Sequence, residues 1–163
     1  MKEIFVRLDR CQGCRSCQLA CAVAHSQSKN LFGAVAESPP PGYRIYIERG
    51  DGVNVPLTCR HCDPAPCLEA CIAGALYRDE HGLVRRRKDN CVGCWTCMMV
   101  CPYGVVSRAK DRKIAVKCDR CHKLDIPACV QACPTKALVF AEAGSFGAEI
   151  RKNVAGIITG GKG

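Results

Sequence analysis

Sixteen cysteines fall into four groups of four, with none left over. The first is Cys11, Cys14, Cys17 and Cys21 (C-x2-C-x2-C-x3-C). The second is Cys59, Cys62, Cys67 and Cys71 (C-x2-C-x4-C-x3-C). The third is Cys91, Cys94, Cys97 and Cys101, with the spacing of the first. The fourth is Cys118, Cys121, Cys129 and Cys133 (C-x2-C-x7-C-x3-C). Three thiolates within a short loop can wrap one cuboidal iron–sulfur core. The x3 step enters a helical turn and carries the fourth thiolate away, to the other cluster of a pair. Pro102 and Pro134 follow the fourth cysteine in groups three and four, and a proline there predicts the start of a helix.

Two other chemistries use cysteine at this density. Zinc sites show two separated C-x2-C pairs rather than three cysteines in seven residues followed by a fourth, so a zinc-binding structural module is the weaker alternative. Disulfides need an oxidising compartment. The start, MKEIFVRLDR, is charged and runs straight into Cys11, with no apolar signal region. No run of 18 apolar residues exists, which predicts no direct membrane insertion. The reading is a cytoplasmic protein with metal-bound cysteines.

Composition agrees. Set aside the cysteines, and the hydrophobic share of 48% drops to about 38%, with 6% aromatic residues; such a chain lacks the material for an ordinary core. The net charge of +9 counts every cysteine as neutral. Four 4Fe–4S clusters with their thiolates carry about −2 each and bring the total near +1. The basic excess is then no sign of nucleic acid, and none is expected as a partner.

The elements that must position these groups are short. Groups one and three are compact. Groups two and four carry an insertion with proline before the third cysteine, so the order compact–inserted repeats. Residues 3–8 (EIFVRL) alternate as a strand. Residues 43–48 and 53–57 read as a hairpin around Arg49-Gly50-Asp51-Gly52, with further hairpins at 75–77 with 83–87 and 105–107 with 113–116. Residues 137–140 (ALVF) are expected to pair with the first strand. Helices of one to three turns are expected after each third cysteine, at 18–26, 68–73, 98–100 and 130–132. Residues 30–42, with three prolines, read as a surface connector. The tail, 142–163, reads as a short helix at 148–154 with a loose end.

These features resemble the four-cluster ferredoxin-like electron-transfer subunits found with molybdopterin oxidoreductases, hydrogenases and formate hydrogenlyases, the dimethyl sulfoxide reductase iron–sulfur subunit type. The resemblance covers about residues 1–140. It implies an α+β fold, a duplicated bacterial dicluster ferredoxin with short helices and small β-hairpins around four 4Fe–4S clusters. It also implies a nested pairing of groups, which the spacing alone does not give. Cluster 1 would use Cys11, Cys14, Cys17 and Cys133, and cluster 2 Cys118, Cys121, Cys129 and Cys21. Cluster 3 would use Cys59, Cys62, Cys67 and Cys101, and cluster 4 Cys91, Cys94, Cys97 and Cys71. The first half would then be 1–58 plus 108–141 and the second 59–107. Cys21 and Cys71 lack the following proline, so their local helices are expected to differ.

The segments CRSCQLACAVAHS, CRHCDPAPC and CVGCWTCMMVCPYGVV, with the proline run before RIYIE, look most like the iron–sulfur subunit that accompanies carbon monoxide dehydrogenase. That resemblance implies a non-catalytic carrier of single electrons. Its donor would be carbon monoxide dehydrogenase and its acceptor a hydrogenase or a flavin NAD(P) oxidoreductase. A relay in a formate hydrogenlyase or molybdopterin oxidoreductase complex is the alternative.

Other residues are weighed beside these. His25, His61, His81 and His122 could ligate metal, but the cysteine complement is full, which favours hydrogen-bonding or surface roles. Trp95, Met98 and Met99 read as an apolar wall around a cluster. The run Arg85-Arg86-Arg87-Lys88 reads as a solvated hairpin end that offsets cluster charge, or as a docking patch for an acidic partner. No nucleophile elbow or phosphate loop is present.

Overall fold

A computed structural model describes residues 1–160. It is α+β, with short helices and two-stranded antiparallel sheets. Strand β1 (Lys2–Val6) pairs with β8 (Leu138–Glu142), Ile4 opposite Phe140 and Val6 opposite Leu138, which ties the start of the chain to the end of group four. Strands β2 (Ile45–Gly50) and β3 (Val53–Thr58) form a hairpin. Its turn residues, Asp51 and Gly52, both have positive φ (48° and 82°), as a two-residue turn with the twist of the strands requires. Shorter pairs join β4 (Leu76–Arg78) to β5 (Val84–Arg86), and β6 (Ser107–Arg108) to β7 (Ala115–Val116).

The helices are α1 (Ser16–His25), α2 (Leu31–Ala36), α3 (Pro66–Glu69), α4 (Thr96–Met99), α5 (Ala128–Gln131) and α6 (Ala143–Ile158). Several bounds differ from the sequence expectation. Helices α1, α3, α4 and α5 begin just before the third cysteine rather than after it. In the inserted groups proline starts the helix: Pro66 opens α3 and Pro127 caps α5. Pro102 and Pro134 therefore lie beyond helix ends, in turns, instead of opening helices. Helix α1 alone runs through its fourth cysteine, Cys21, where alanine follows; α3 stops before Cys71 although no proline follows there.

Two corrections concern the connector and the tail. Residues 30–42 contain α2, because the Asn30 side chain accepts the Gly33 N–H at 2.7 Å and caps the first turn. Helix α6 spans sixteen residues, well beyond 148–154. Phe146 stacks on Phe5 at 4.4 Å and Arg7 pairs with Glu149, which fastens its first half to β1. The last tail residues, 161–163, lie outside the described residues.

Buried side chains form two clusters, both built partly of cysteine. The first holds Ile4, Ile45 and Leu138 with Cys17, Cys21 and Cys129. The second holds Ala65, Leu76, Val84, Val106 and Ala115 with Cys97, and Cys67, Cys71, Cys91 and Cys101 pack against it. A buried Ile or Leu contributes roughly 1.5–3 kcal/mol, and each cluster has few of them.

Candidate metal centres

The two compact groups share one loop geometry. Gly13 and Arg15 flank Cys14 with φ of 71° and 60°; Gly93 and Trp95 flank Cys94 with 69° and 67°. Left-handed residues at this spacing bend the backbone into a nest, whose N–H groups suit an anionic centre. Close packing requires the glycines: a Cβ at Gly93 would lie 2.5 Å from the Lys113 carbonyl, and one at Gly13 would lie 2.8 Å from Asn54 Oδ1. Cys14 and Cys94 are both exposed. Cys14 Sγ lies 3.4 Å from the Ser16 hydroxyl, and the Thr96 hydroxyl donates to Cys94 Sγ at 3.5 Å. These contacts hold both thiols below their ordinary pKa.

The inserted groups share a different detail. His61 and Arg120 sit two residues after the first cysteine with φ of 51° and 57°. The His61 N–H donates to Cys59 Sγ at 3.5 Å and the Arg120 N–H to Cys118 Sγ at 3.3 Å. Arg44 donates its N–H to Cys21 Sγ at 3.2 Å and Ala115 to Cys91 Sγ at 3.5 Å. Each such bond favours anionic sulfur.

Thiols from different groups come together. Burial pushes Cys17 up to about 11, and its charged neighbours Cys133 and Cys14 add to this. Burial pushes Cys21 up to about 12, with Cys118 and Cys121 adding. Cys129 is raised by burial, then by Cys118, Cys21, Cys121 and Cys17. Cys67 is raised by burial against the opposing Lys117 cation, and its thiol neighbours are Cys59, Cys101 and Cys62. Cys97 is raised by burial, with Cys67, Cys91, Cys71 and Cys94 around it. Buried thiols this reluctant to ionise become thiolates when a cationic core takes the proton's place.

The surroundings fit such a core. A small cavity of about 20 Å³ is lined by Cys59, Cys62, Cys67 and Cys101, together with His61 and Val84. The Val84 N–H donates to His61 Nδ1 at 3.1 Å, which leaves the proton on Nε2, a buried atom with no partner. Burial, then the Lys117 and Arg120 cations, pull His61 down to about 3, so it is neutral. Lys117 is buried, its Nζ donating to the carbonyls of Val84 and Cys118.

A second network braces group four. Asp119 lies 2.8 Å from Arg44 Nη1 and 3.1 Å from His25 Nε2, and accepts the Cys121 N–H at 3.1 Å. Burial raises its carboxyl, but the His25 hydrogen bond and the Arg44 charge outweigh this and hold it far below the usual carboxylate range. His25 donates Nδ1–H to the Cys21 carbonyl at 2.7 Å. Nothing in the sequence marks Asp119, Arg44 or Lys117, since the contacts of His25 with Asp119 and of Lys117 with Val84 span 94 and 33 residues, and Arg44 meets Asp119 only across the fold.

The remaining candidates divide. His81 and Glu80 form an exposed pair at 3.5 Å. Trp95 carries Arg108 over its ring at 4.4 Å, and Met98 packs on the second core. Met99 is 77% exposed and so is no part of an inner wall. Among the described residues no helix is long and apolar enough to cross a membrane.

With this geometry in hand, the comparisons with known proteins define the class. The 4Fe-4S dicluster domain family matches residues 51–143, and the chain belongs to it. An "Iron-sulfur protein" of Rhodospirillum rubrum is 36% identical, over 91% of this chain and 86% of that one. "Electron transport protein HydN" of Escherichia coli (strain K12) is 38% identical, over 83% and 85%. A solved structure, the active site complex BamBC of benzoyl coenzyme A reductase with benzoyl-CoA, overlays at a TM-score of 0.45 with 21% identity, over 95% and 91%. The cofactors are four 4Fe–4S clusters, and the protein is an electron-transfer component rather than an enzyme.

Proposed function

We propose that this chain is a linear one-electron relay from carbon monoxide dehydrogenase to a hydrogenase or a flavin NAD(P) oxidoreductase. A 4Fe–4S cluster, when bound, takes up one electron with little change of shape. The ligand sets are the nested ones: Cys11, Cys14, Cys17 with Cys133; Cys118, Cys121, Cys129 with Cys21; Cys59, Cys62, Cys67 with Cys101; and Cys91, Cys94, Cys97 with Cys71. The observation that carries this is the company of the buried thiols: Cys17, Cys97 and Cys129 lie beside cysteines of their own group and of the nested partner group, and Cys21 lies beside Cys118 and Cys121 of its partner group. The order follows from the thiols that feel a neighbouring set. Cys129 feels Cys17, Cys118 feels Cys59, and Cys97 feels Cys67. That supports a file of clusters 1–2–3–4 whose ends are the sets with an exposed cysteine, Cys14 and Cys94.

The shared geometry of the two compact loops, and of the two inserted ones, supports a duplicated two-cluster unit. Its halves are 1–58 with 108–141, and 59–107, although Ala115 of β7 packs with the second core. The tail, 142–160 of the described residues, docks on β1 and β8. The choice of donor rests on the motif resemblance of the cysteine segments. Anaerobic capture of the tagged protein tests it. The expected result is carbon monoxide dehydrogenase in the eluate, about sixteen irons per chain, and bleaching of the visible absorption when carbon monoxide is added. Capture of a formate hydrogenlyase or a molybdopterin oxidoreductase would replace the donor; a colourless zinc protein would end the relay reading.

A further inference from the structure

The basic run 85–88 is only partly spent on local contacts. Arg87 stacks on Tyr77 at 4.5 Å, and Arg85 pairs with Asp79 at 3.3 Å. Arg85, Arg86 and Lys88 line a cleft of about 1060 Å³. Most of the remaining lining comes from α1, α5 and the segment 117–124, which brings Lys117 and Lys123, and Lys29 and Arg44 add two more cations. Among the described residues Asp119 is the only carboxylate in the lining, and Arg44, His25 and the Cys121 N–H already occupy it. Arg44 Nε and Arg86 Nη1 are buried without a partner, and the two guanidinium groups are close enough to repel. Arg86 also lies within electrostatic reach of Cys91 and Cys97. Lys88 and Lys123 are exposed, and Val23, Ala24 and Leu124 add apolar surface between the cations.

We propose that this cleft seats an acidic, partly apolar peptide segment of a redox partner, held by Arg86, Lys88 and Lys123. A small anion fits the cleft less well. Its volume is at the upper end of small-ligand sites, about 300–1,000 Å³. Its cations are spread over several elements, whereas one phosphate gathers its donors at a point. An extended chain of alternating carboxylate and apolar residues meets both features of the lining. The cleft also borders Cys118 and Cys121, so a seated partner would approach the middle of the file rather than its ends. The proposal rests on the relay reading for the existence of a partner, but its test reads binding alone.

The test uses the anaerobically purified holoprotein and a fluorescein-labelled decapeptide of alternating glutamate and leucine, followed by anisotropy. The expected result is saturable binding that weakens about tenfold as NaCl rises from about 50 to about 300 mM. The combined Arg86→Gln, Lys88→Gln, Lys123→Gln variant should bind at least about tenfold more weakly, with iron content unchanged, while Lys152→Gln on α6 should bind as the parent does. If the triple variant loses iron, Lys88→Gln with Lys123→Gln decides, since both side chains are exposed. Salt-independent binding, equal binding by the variant, or full displacement by stoichiometric pyrophosphate would overturn the proposal. Peptide binding in a protein that no redox enzyme reduces would sink the relay reading and leave this one standing.

Discussion

Lys117 is a buried cation aimed at carbonyls, and it opposes the burial that raises Cys67. Reduction adds negative charge to whatever Cys67 holds, and a nearby cation stabilises that charge. Replacing it, Lys117→Met, should lower one of the four midpoint potentials by roughly 50–100 mV, the size of a unit charge at close range in a protein interior. Lys117→Arg should restore most of the difference. An EPR-monitored redox titration in which all four midpoints stay put would remove Lys117 from the account. Asp119 carries the pH prediction. Its folded pKa is depressed, so its stabilisation is complete above the unfolded value near 3.9 and is lost as pH falls through the folded value. Asp119→Asn should therefore lower the temperature of cluster loss at pH 7 by about 5 °C. That gap should close as pH drops below about 4. A gap that is the same at pH 7 and pH 3 would contradict this assignment.

The loops hold their shape through a few special backbone positions, and glycine substitutions separate two causes of that need. Gly93 and Gly104 both have positive φ (69° and 61°), but only Gly93 meets backbone, 2.5 Å from the Lys113 carbonyl. Gly104→Ala should cost about 1 kcal/mol, the left-handed penalty alone. Gly93→Ala adds a clash that side-chain motion cannot relieve, and should cost at least about 2 kcal/mol more. Thermal loss of visible absorption, compared between the two variants, reads the difference; equal losses would mean the loop yields freely. The same positions show what the sequence discloses at this scale. The strand pairs are legible, because alternation and turn residues are local signals, and β1 with β8 follows from the alternating segment 3–8 and the apolar run 137–140, neither of which has a hairpin partner. Helix α2 is hidden among prolines because its one start signal is Asn30, whose cap is visible only with Gly33 beside it. Helix α6 is understated because Gly144, Gly147 and Gly156 argue against a helix. The contacts that support it, Phe146 on Phe5 and Glu149 on Arg7, reach across the whole chain.

Across the whole molecule the cysteines are both the site and the structure. Half of the buried residues of the first core are Cys17, Cys21 and Cys129, and five cysteines belong to or pack against the second. The quartets are legible because their spacing is local; the brace of His25, Asp119 and Arg44 is not, because it forms only when group four folds back on α1. The same fact predicts the fate of the chain without iron. Each sheet has two strands, and two-stranded sheets are marginal alone. Helices α3, α4 and α5 have four residues each, far below the length that is stable in isolation. Metal binding must therefore supply folding free energy. Anaerobic removal of iron with ferricyanide and a chelator should abolish the cooperative thermal transition, and amide protection in β1, β8 and α1 should collapse. Reconstitution with iron and sulfide should restore both. Should the iron-free chain keep a cooperative transition and protected amides, the two cores would be self-sufficient and cysteine ligation would not be what holds this fold together.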